Sequence, residues 1–313
     1  LFVQPVESRN VKYVDVEVAA SPTDREDIEK SFAGYKDDLS AAEDPTEVVR
    51  KSTSLMNYLG LPVAKEAFPT DIAQRLDSMA VGSVYGPFES KGDNTLNLVK
   101  LVAKVQQPDS VEYRQIQVFG QTAEEAVKRA DSIYTALNGG GDFEAIAKKY
   151  GQTGEKSWFT GRQYEGANTM SADNRLYIES LVNGAVGETK NVALTQGNVI
   201  LQVTDRRDFK DKYTAAVIKR VIDFSKDTRS AAYNKFSEFV TKCTSVEDME
   251  KQAAKYGYQV QDYNNISTTA HNVAGVRATR DALKWIFSAK EGEISPLYEC
   301  GDNDHMLVVA LTK

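Results

Sequence analysis

The sequence predicts an α+β fold built three times over, and three observations lead there. First, one signature recurs with its following strand. It reads Leu76-x-Ser78-x-x-x-Gly82-x-Val84 then Leu98-Val99-x-Leu101, Ile178-x-Ser180-x-x-x-Gly184-x-Val186 then Ile200-Leu201-x-Val203, and Ile286-x-Ser288-x-x-x-Gly292-x-Ile294 then Val308-Val309-x-Leu311. The glycines stand 102 and 108 residues apart. Second, an opening strand recurs: Val11–Val18 matches Val111–Val118, with valine, tyrosine and valine at the same places. Third, 313 residues exceed what one hydrophobic core usually serves, whereas units of about 100 residues are of common domain size. The expected domains are 1–108, 109–209 and 210–313.

Each unit reads β-α-α-loop-α-β-β. The opening strands alternate apolar and polar residues, as half-buried strands do. In the third unit the more continuously apolar Ala216–Ile222 takes that place. A long amphipathic helix follows. In the middle unit Thr122 and Glu125 form a capping box, and Ala126, Ala130, Ile133, Tyr134 and Leu137 fall on one face. Gly139-Gly140-Gly141 stops that helix; no Lys-Ser/Thr follows to make a phosphate loop. Asp142 caps a second helix ending at Tyr150-Gly151, and Ser245 caps its counterpart ending at Tyr256-Gly257. The first unit offers Pro45–Lys51 there, with no closing Tyr-Gly. A third helix carries the Ser-x-x-x-Gly signature, whose glycine fits a helix end turning through positive φ. Two short strands close the unit, and helices packed on a small antiparallel sheet make an α+β domain.

Composition excludes several functions. Net charge is −7, which argues against a nucleic-acid footprint, since that needs a basic face. No apolar run nears the roughly 18 residues that span a membrane. The chain starts at Leu1 rather than Met, and we read it as a mature or trimmed fragment; any membrane anchor would lie in a segment absent from it. Cys243 and Cys300 read as two buried free thiols in preference to a disulfide. Asp302-Asn303-Asp304 reads as a turn and not a calcium loop, because the glycine at position six and the glutamate at position twelve are missing. No metal cluster, cofactor site or hydrolytic triad is expected, and the chain holds only two histidines, His271 and His305.

The middle unit resembles the parvulin-type prolyl isomerase domains of bacterial extracytoplasmic folding factors. The family's Gly-x-Asp-Phe-x-x-apolar-Ala-x-x-Tyr/Phe helix is matched by Gly141–Tyr150, and its Gly-Asp-x-Gly-Trp-Phe segment by Gly154–Phe159. Its closing Gly-Glu-Val-Ser-x-Pro is matched by Gly292–Pro296 and, more loosely, by Gly82–Pro87; its last apolar strand is matched by Gly197–Leu201. The resemblance covers most of residues 111–204 and, more weakly, the flanking units. It implies tandem parvulin-like (FKBP-like) domains, each a small antiparallel sheet packed with three to four helices.

The family's active site pairs two histidines on adjacent strands, with an Asp or Cys nearby. At the first histidine's place this chain carries Gln115, Asp15 and Lys219 in the middle, first and third units; at the second it carries Val199, Asn97 and Leu307. His305 reads as an exposed turn residue. Glu155 stands at the Asp/Cys place, or is a solvated loop residue. The resemblance puts Trp158, Phe159, Tyr164, Met170 and Tyr177 around the proline-ring pocket. Trp158 and Phe159 read as core or pocket floor, and Tyr164 and Met170 as pocket rim.

Prolyl isomerisation makes and breaks no bond; it crosses an amide barrier of about 18–20 kcal/mol by binding the twisted amide better than the planar one. Gln115 can hydrogen-bond but cannot replace a histidine pair when its partner is Val199. The preferred reading is a periplasmic or otherwise extracytoplasmic folding factor that binds unfolded or extended polypeptides, with weak or absent isomerase activity. The alternatives are an active isomerase using Gln115 and Glu155, and a non-enzymatic scaffold docking one fixed partner.

Overall fold

A computed structural model describes residues 7–313. From the N-terminus come β1 (Ser8–Glu17), α1 (Pro22–Ala41), α2 (Thr46–Lys51), β2 (Val63–Ala64), a 3-10 turn at Lys65–Ala67, α3 (Thr70–Leu76), β3 (Val84–Ser90) and β4 (Thr95–Val118). Next are α4 (Ala123–Asn138), α5 (Phe143–Lys149), β5 (Ser157–Thr160), α6 (Arg162–Glu165), α7 (Ala172–Val182), β6 (Thr189–Leu194) and β7 (Gly197–Val221). The chain closes with α8 (Lys226–Thr241), α9 (Val246–Tyr256), β8 (Gln261–Ser267), α10 (Arg280–Ser288), β9 (Tyr298–Cys300) and β10 (His305–Leu311). The fold is α+β with antiparallel sheets, as the sequence predicts.

The helix ends follow the local chemistry. The Thr122 hydroxyl accepts from the Glu125 amide at 3.2 Å, and the Glu125 carboxylate reaches back to the Gln121 amide at 2.8 Å. Asp142 caps α5 through the Ala145 amide at 2.7 Å, and Ser245 caps α9 through the Asp248 amide at 3.1 Å. Both Tyr-Gly stops hold, with Gly151 at φ +74 and Gly257 at φ +76. The signature serines Ser78, Ser180 and Ser288 each donate to a carbonyl in the preceding helical turn.

The signature glycine needs one correction. Gly82 and Gly292 sit at φ +86 and donate to Leu101 and Leu311. In the middle copy that role falls to Gly187, at φ +85, which donates to Val203. Gly184 is not left-handed; it is glycine because a Cβ there would lie 2.8 Å from Val203 Cγ2. Residue numbers 82, 187 and 292 are evenly spaced, so the repeat is more regular than the sequence motif suggested.

The chain divides into two compact units: Leu1–Ile28 with Ile222–Lys313, and Glu29–Val221. In the first, the sheet order is β8-β1-β10-β9. Val14, Val18, Met306 and Val308 face α8 and α9 through Phe236, Phe239 and Met249, while Val11, Tyr13, Leu307 and Val309 face α10 through Leu283 and Ile286. In the second unit β4 and β7 pair antiparallel from Thr95↔Val221 to Val118↔Asn198, with β2 and β3 on the flanks. Ile116, Val118 and Ile200 pack on α4 and α5, and Val199 and Leu201 on α7 from the opposite face. Nearer the other end, Val99, Leu101 and Val217 pack on Ile72 and Leu76 of α3. There the buried Lys100 donates to the Leu39 and Ala42 carbonyls at the C-terminus of α1.

Opening strands have changed places. Val11–Val18, expected to open the first segment, pairs with β10 of the last, Asp15 opposite Leu307. Ala216–Ile222, expected to open the third, pairs up to Val221 with the Thr95–Lys100 part of β4, Lys219 opposite Asn97. Only Val111–Val118 pairs within its own segment. The expected boundaries at 108/109 and 209/210 fall inside β4 and β7, which continue without a turn.

Both cysteines are free and buried, and burial pushes the Cys243 thiol up to about 11 and the Cys300 thiol up to about 12. A chain lacking residues 1–20 loses the strand between β8 and β10. We expect both thiols, slow in the full chain at pH 7, to react fast with a thiol reagent in that variant, and a peptide of residues 7–20 to slow them again.

Candidate functional site

β5 pairs with β4 over Val111↔Phe159 and Glu112↔Trp158, so its alternation sends Phe159 and Trp158 to opposite sides. Phe159 is buried and stacks on Tyr164 of α6 at 5.9 Å between ring centroids. Trp158 faces away at 40% exposure, under the Arg207 guanidinium at 4.7 Å. Tyr177 of α7 turns its ring edge to Tyr113 and donates to Gln115 Oε1 at 2.7 Å. Burial, with Tyr113 beside it, pushes the Tyr177 phenol up. Phe159, Tyr164, Met170, Tyr177 and Val199 therefore belong to one apolar cluster, with Gln115 tied to it through Tyr177. Glu155 lies on the surface, its amide donating to Thr153 at 3.3 Å, and Trp158 lies outside the cluster.

Tyr164, expected at the rim, is only 3% exposed. The cause is a segment that sequence reasoning missed. Leu61 and Val63 are buried in the same cluster, with Leu59 against it. Tyr164 Oη donates to the Pro62 carbonyl at 2.6 Å, Arg175 Nε donates to the Leu59 carbonyl at 3.1 Å, and the Ala64 amide donates to Glu165 Oε1 at 2.9 Å. Burial pushes the Tyr164 phenol up, so it stays a donor.

A buried ion cluster anchors this corner. Lys212, with a fully buried side chain, holds its Nζ 2.9 Å from Asp109 Oδ1 and 3.5 Å from Glu165 Oε1, ion pairs not aligned as hydrogen bonds. Burial opposes the charge on Asp109, but Lys210 and Lys212 hold its carboxyl below the ordinary value. Gly161 leaves room for this cluster: a Cβ there would lie 2.8 Å from Glu165 Oε1 and 2.9 Å from Lys212 Nζ and would push the ion-pairing groups aside.

The places assigned to the histidines come out differently in each copy. Gln115 pairs with Leu201, and Gln117 is the residue opposite Val199, a two-residue offset with a register shift at Glu112/Tyr113. Lys219 and Asn97 face each other directly, Nζ to Oδ1 at 3.3 Å, with Asp93 at 2.7 Å and Asp71 at 3.6 Å from the ammonium. Lys219, and Thr95 after it, hold the Asp93 carboxyl low. His305, expected as an exposed turn residue, opens β10 half-buried with Nδ1 3.0 Å from Asp15 Oδ1. Asp15 and His305 are far apart in sequence and meet only because β1 joins the last sheet, so no local motif could have paired them. Glu17, Asp304 and His305 form an acidic cluster at the same end of the strands.

The comparisons fit this geometry. Residues 96–207 match the family model of the PPIC-type PPIase domain. That segment is a parvulin-type domain. It takes in β4 from Leu96, the cluster around Tyr164 and Tyr177, and β7 as far as Arg207. Two relatives named Chaperone SurA, from Xanthomonas euvesicatoria pv. vesicatoria (strain 85-10) and Xanthomonas axonopodis pv. citri (strain 306), are each 30% identical over 141 residues, covering 39% of this chain and 29% of the relative. The chain thus spans under a third of the length of those relatives. The matched segment contains the apolar cluster around Tyr164 and Tyr177, with Gln115 bonded to Tyr177 and Val199 within the cluster.

Lys212→Met takes the buried ammonium away from the half-buried carboxylates of Asp109 and Glu165, leaving Asp109 only Lys210. We expect a loss of about 3 kcal/mol in urea unfolding at pH 7. Because the folded-state value of Asp109 is lowered, its contribution is present above the ordinary carboxylate pKa of about 4 and is lost as pH falls through the lowered value. The wild-type advantage over the variant should therefore shrink in acid.

Proposed function

We propose that this chain is a folding factor that binds unfolded or extended polypeptide segments and has weak or absent prolyl isomerase activity. The observation that carries the reading is the middle site: an apolar aromatic cluster of Phe159, Tyr164, Met170 and Tyr177 beneath Leu61 and Val63, with Gln115 bonded to Tyr177 at the place the resemblance gives to the first histidine. Such a face makes sequence-tolerant contact with apolar side chains. The chaperone name of the relatives supports the same class of function. On the resemblance the compartment is extracytoplasmic, and no helix among the described residues is long and apolar enough to cross a membrane. The net charge of −7 favours protein over nucleic-acid partners. On this reading the chain holds three parvulin-like frames, two of them closed by exchanged strands.

A second reading, an isomerase working with substituted residues, draws on the Asp15–His305 and Lys219–Asn97 pairs, which set polar groups across adjacent strands. A proline-peptide isomerisation assay separates the two. We expect the uncatalysed rate for wild type and for Gln115→Ala and His305→Ala alike, together with suppressed aggregation of chemically denatured, unrelated clients. A rate above background that either substitution abolishes would establish the second reading. Binding to one folded partner, with no effect on aggregation, would make the chain a scaffold.

A further inference from the structure

The segment over the aromatic face has the features of a ligand. Its contacts are of two kinds. Leu61 and Val63, alternate residues, bury their side chains beside Phe159 and Tyr164, while Tyr164, Arg175 and Glu165 bind backbone atoms of Pro62, Leu59 and Ala64. Backbone hydrogen bonds combined with pockets for alternate side chains are how extended peptides are recognised. Val63 and Ala64 also add a short antiparallel strand to β7 opposite Tyr213 and Lys212, the strand-addition mode of peptide capture. Pro62 disfavours the helical region for Leu61 and so presets the extended backbone.

The segment is also irregular over part of its length, with open space beside it. Leu59–Pro62 belong to no helix or strand, and Leu55 and Asn57 just before them are exposed. A cavity of about 200 Å3 runs along the segment, between Tyr58–Leu61 and the Glu165–Asn168 turn. Incomplete packing and irregular backbone belong to the part of a fold that opens most easily.

We propose that Leu59–Ala64 is an internal ligand of the groove, and that it displays the class of client segment the groove takes: an extended apolar-Gly-apolar-Pro-apolar stretch. The proposal rests on the client-binding reading above and names the substrate class of that same site. The glycine preference comes from the backbone at residue 60, where φ is +69, with the Arg175 guanidinium carbon 3.0 Å from where a Cβ would lie. A client segment enters by displacing the internal one, so the apparent affinity of the intact chain falls by the fraction of molecules in which the groove is open.

The test uses the full chain and a fluorescein-labelled hexapeptide, Leu-Gly-Leu-Pro-Val-Ala, followed by anisotropy. The double variant Leu61→Ser/Val63→Ser, checked for folding by circular dichroism, should bind it at least about tenfold more tightly than wild type. Adding Tyr164→Ala should remove that gain, and a hexapeptide with valine in place of glycine should bind more weakly. A folded double variant that binds no better than wild type overturns the proposal. Aggregation suppression measured on the same samples tests the underlying reading separately: its absence from both proteins would sink the client-binding function itself. Should the double variant not fold, hydrogen exchange on wild type decides. Saturating hexapeptide should speed exchange of the Ala64 amide, which donates to Glu165, and unchanged protection overturns the proposal.

Discussion

Antiparallel pairing between β4 and β7 governs the larger unit. Two strands of 24 and 25 residues run together from Thr95↔Val221 to Val118↔Asn198. One end of this ribbon receives α4, α5 and α7; the other receives α3 and the C-terminal end of α1. Because neither strand breaks, the part of each that serves one helical layer continues directly into the part that serves the next. The continuity also sets Lys219 beside Asn97, and it holds Lys212 where Glu165 and the Val63–Ala64 strand converge. A shift of one residue along the ribbon would turn every one of these side chains to the wrong face.

Much of the fold was legible because its signals are local. Thr122, Asp142 and Ser245 announce helix starts, and Gly151 and Gly257 announce stops, by chemistry confined to three or four residues. The repeat itself was legible through Ser78, Ser180 and Ser288. Its glycine divides in the middle copy, where Gly184 serves close packing and Gly187 serves the turn, a split the motif alone does not show. Strand exchange was not legible at all. Val11–Val18 and Ala216–Ile222 carry the same alternation whichever sheet they join, and periodicity does not name a partner. Pro108, at the expected 108/109 boundary, sits within β4 opposite Phe209, where the strand runs on.

The aromatic face follows the same division. Phe159, Tyr164, Met170 and Tyr177 could be grouped from the sequence, but their burial could not, because it depends on Leu61 and Val63, about a hundred residues upstream. Trp158 and Phe159 are adjacent in sequence, yet the two-residue period of β5 sends them to opposite faces. The Asp15–His305 pair joins residues at opposite ends of the chain, and neither neighbourhood hints at the other.

The exchanged strands also set an order of events during synthesis. Ser8–Glu17 emerges from the ribosome long before His305–Leu311, the strand beside which it finally lies. Thr95–Lys100 likewise waits for Ala216–Val221. Within the β4–β7 pair, Tyr113–Val118 with Asn198–Val203 joins the nearer ends of the two strands, so this part can close before Ala216–Val221 is made. Until β8 and β10 are made, Ser8–Glu17 is an extended, half-apolar segment without its sheet partners, the same kind of material that a folding factor exists to protect.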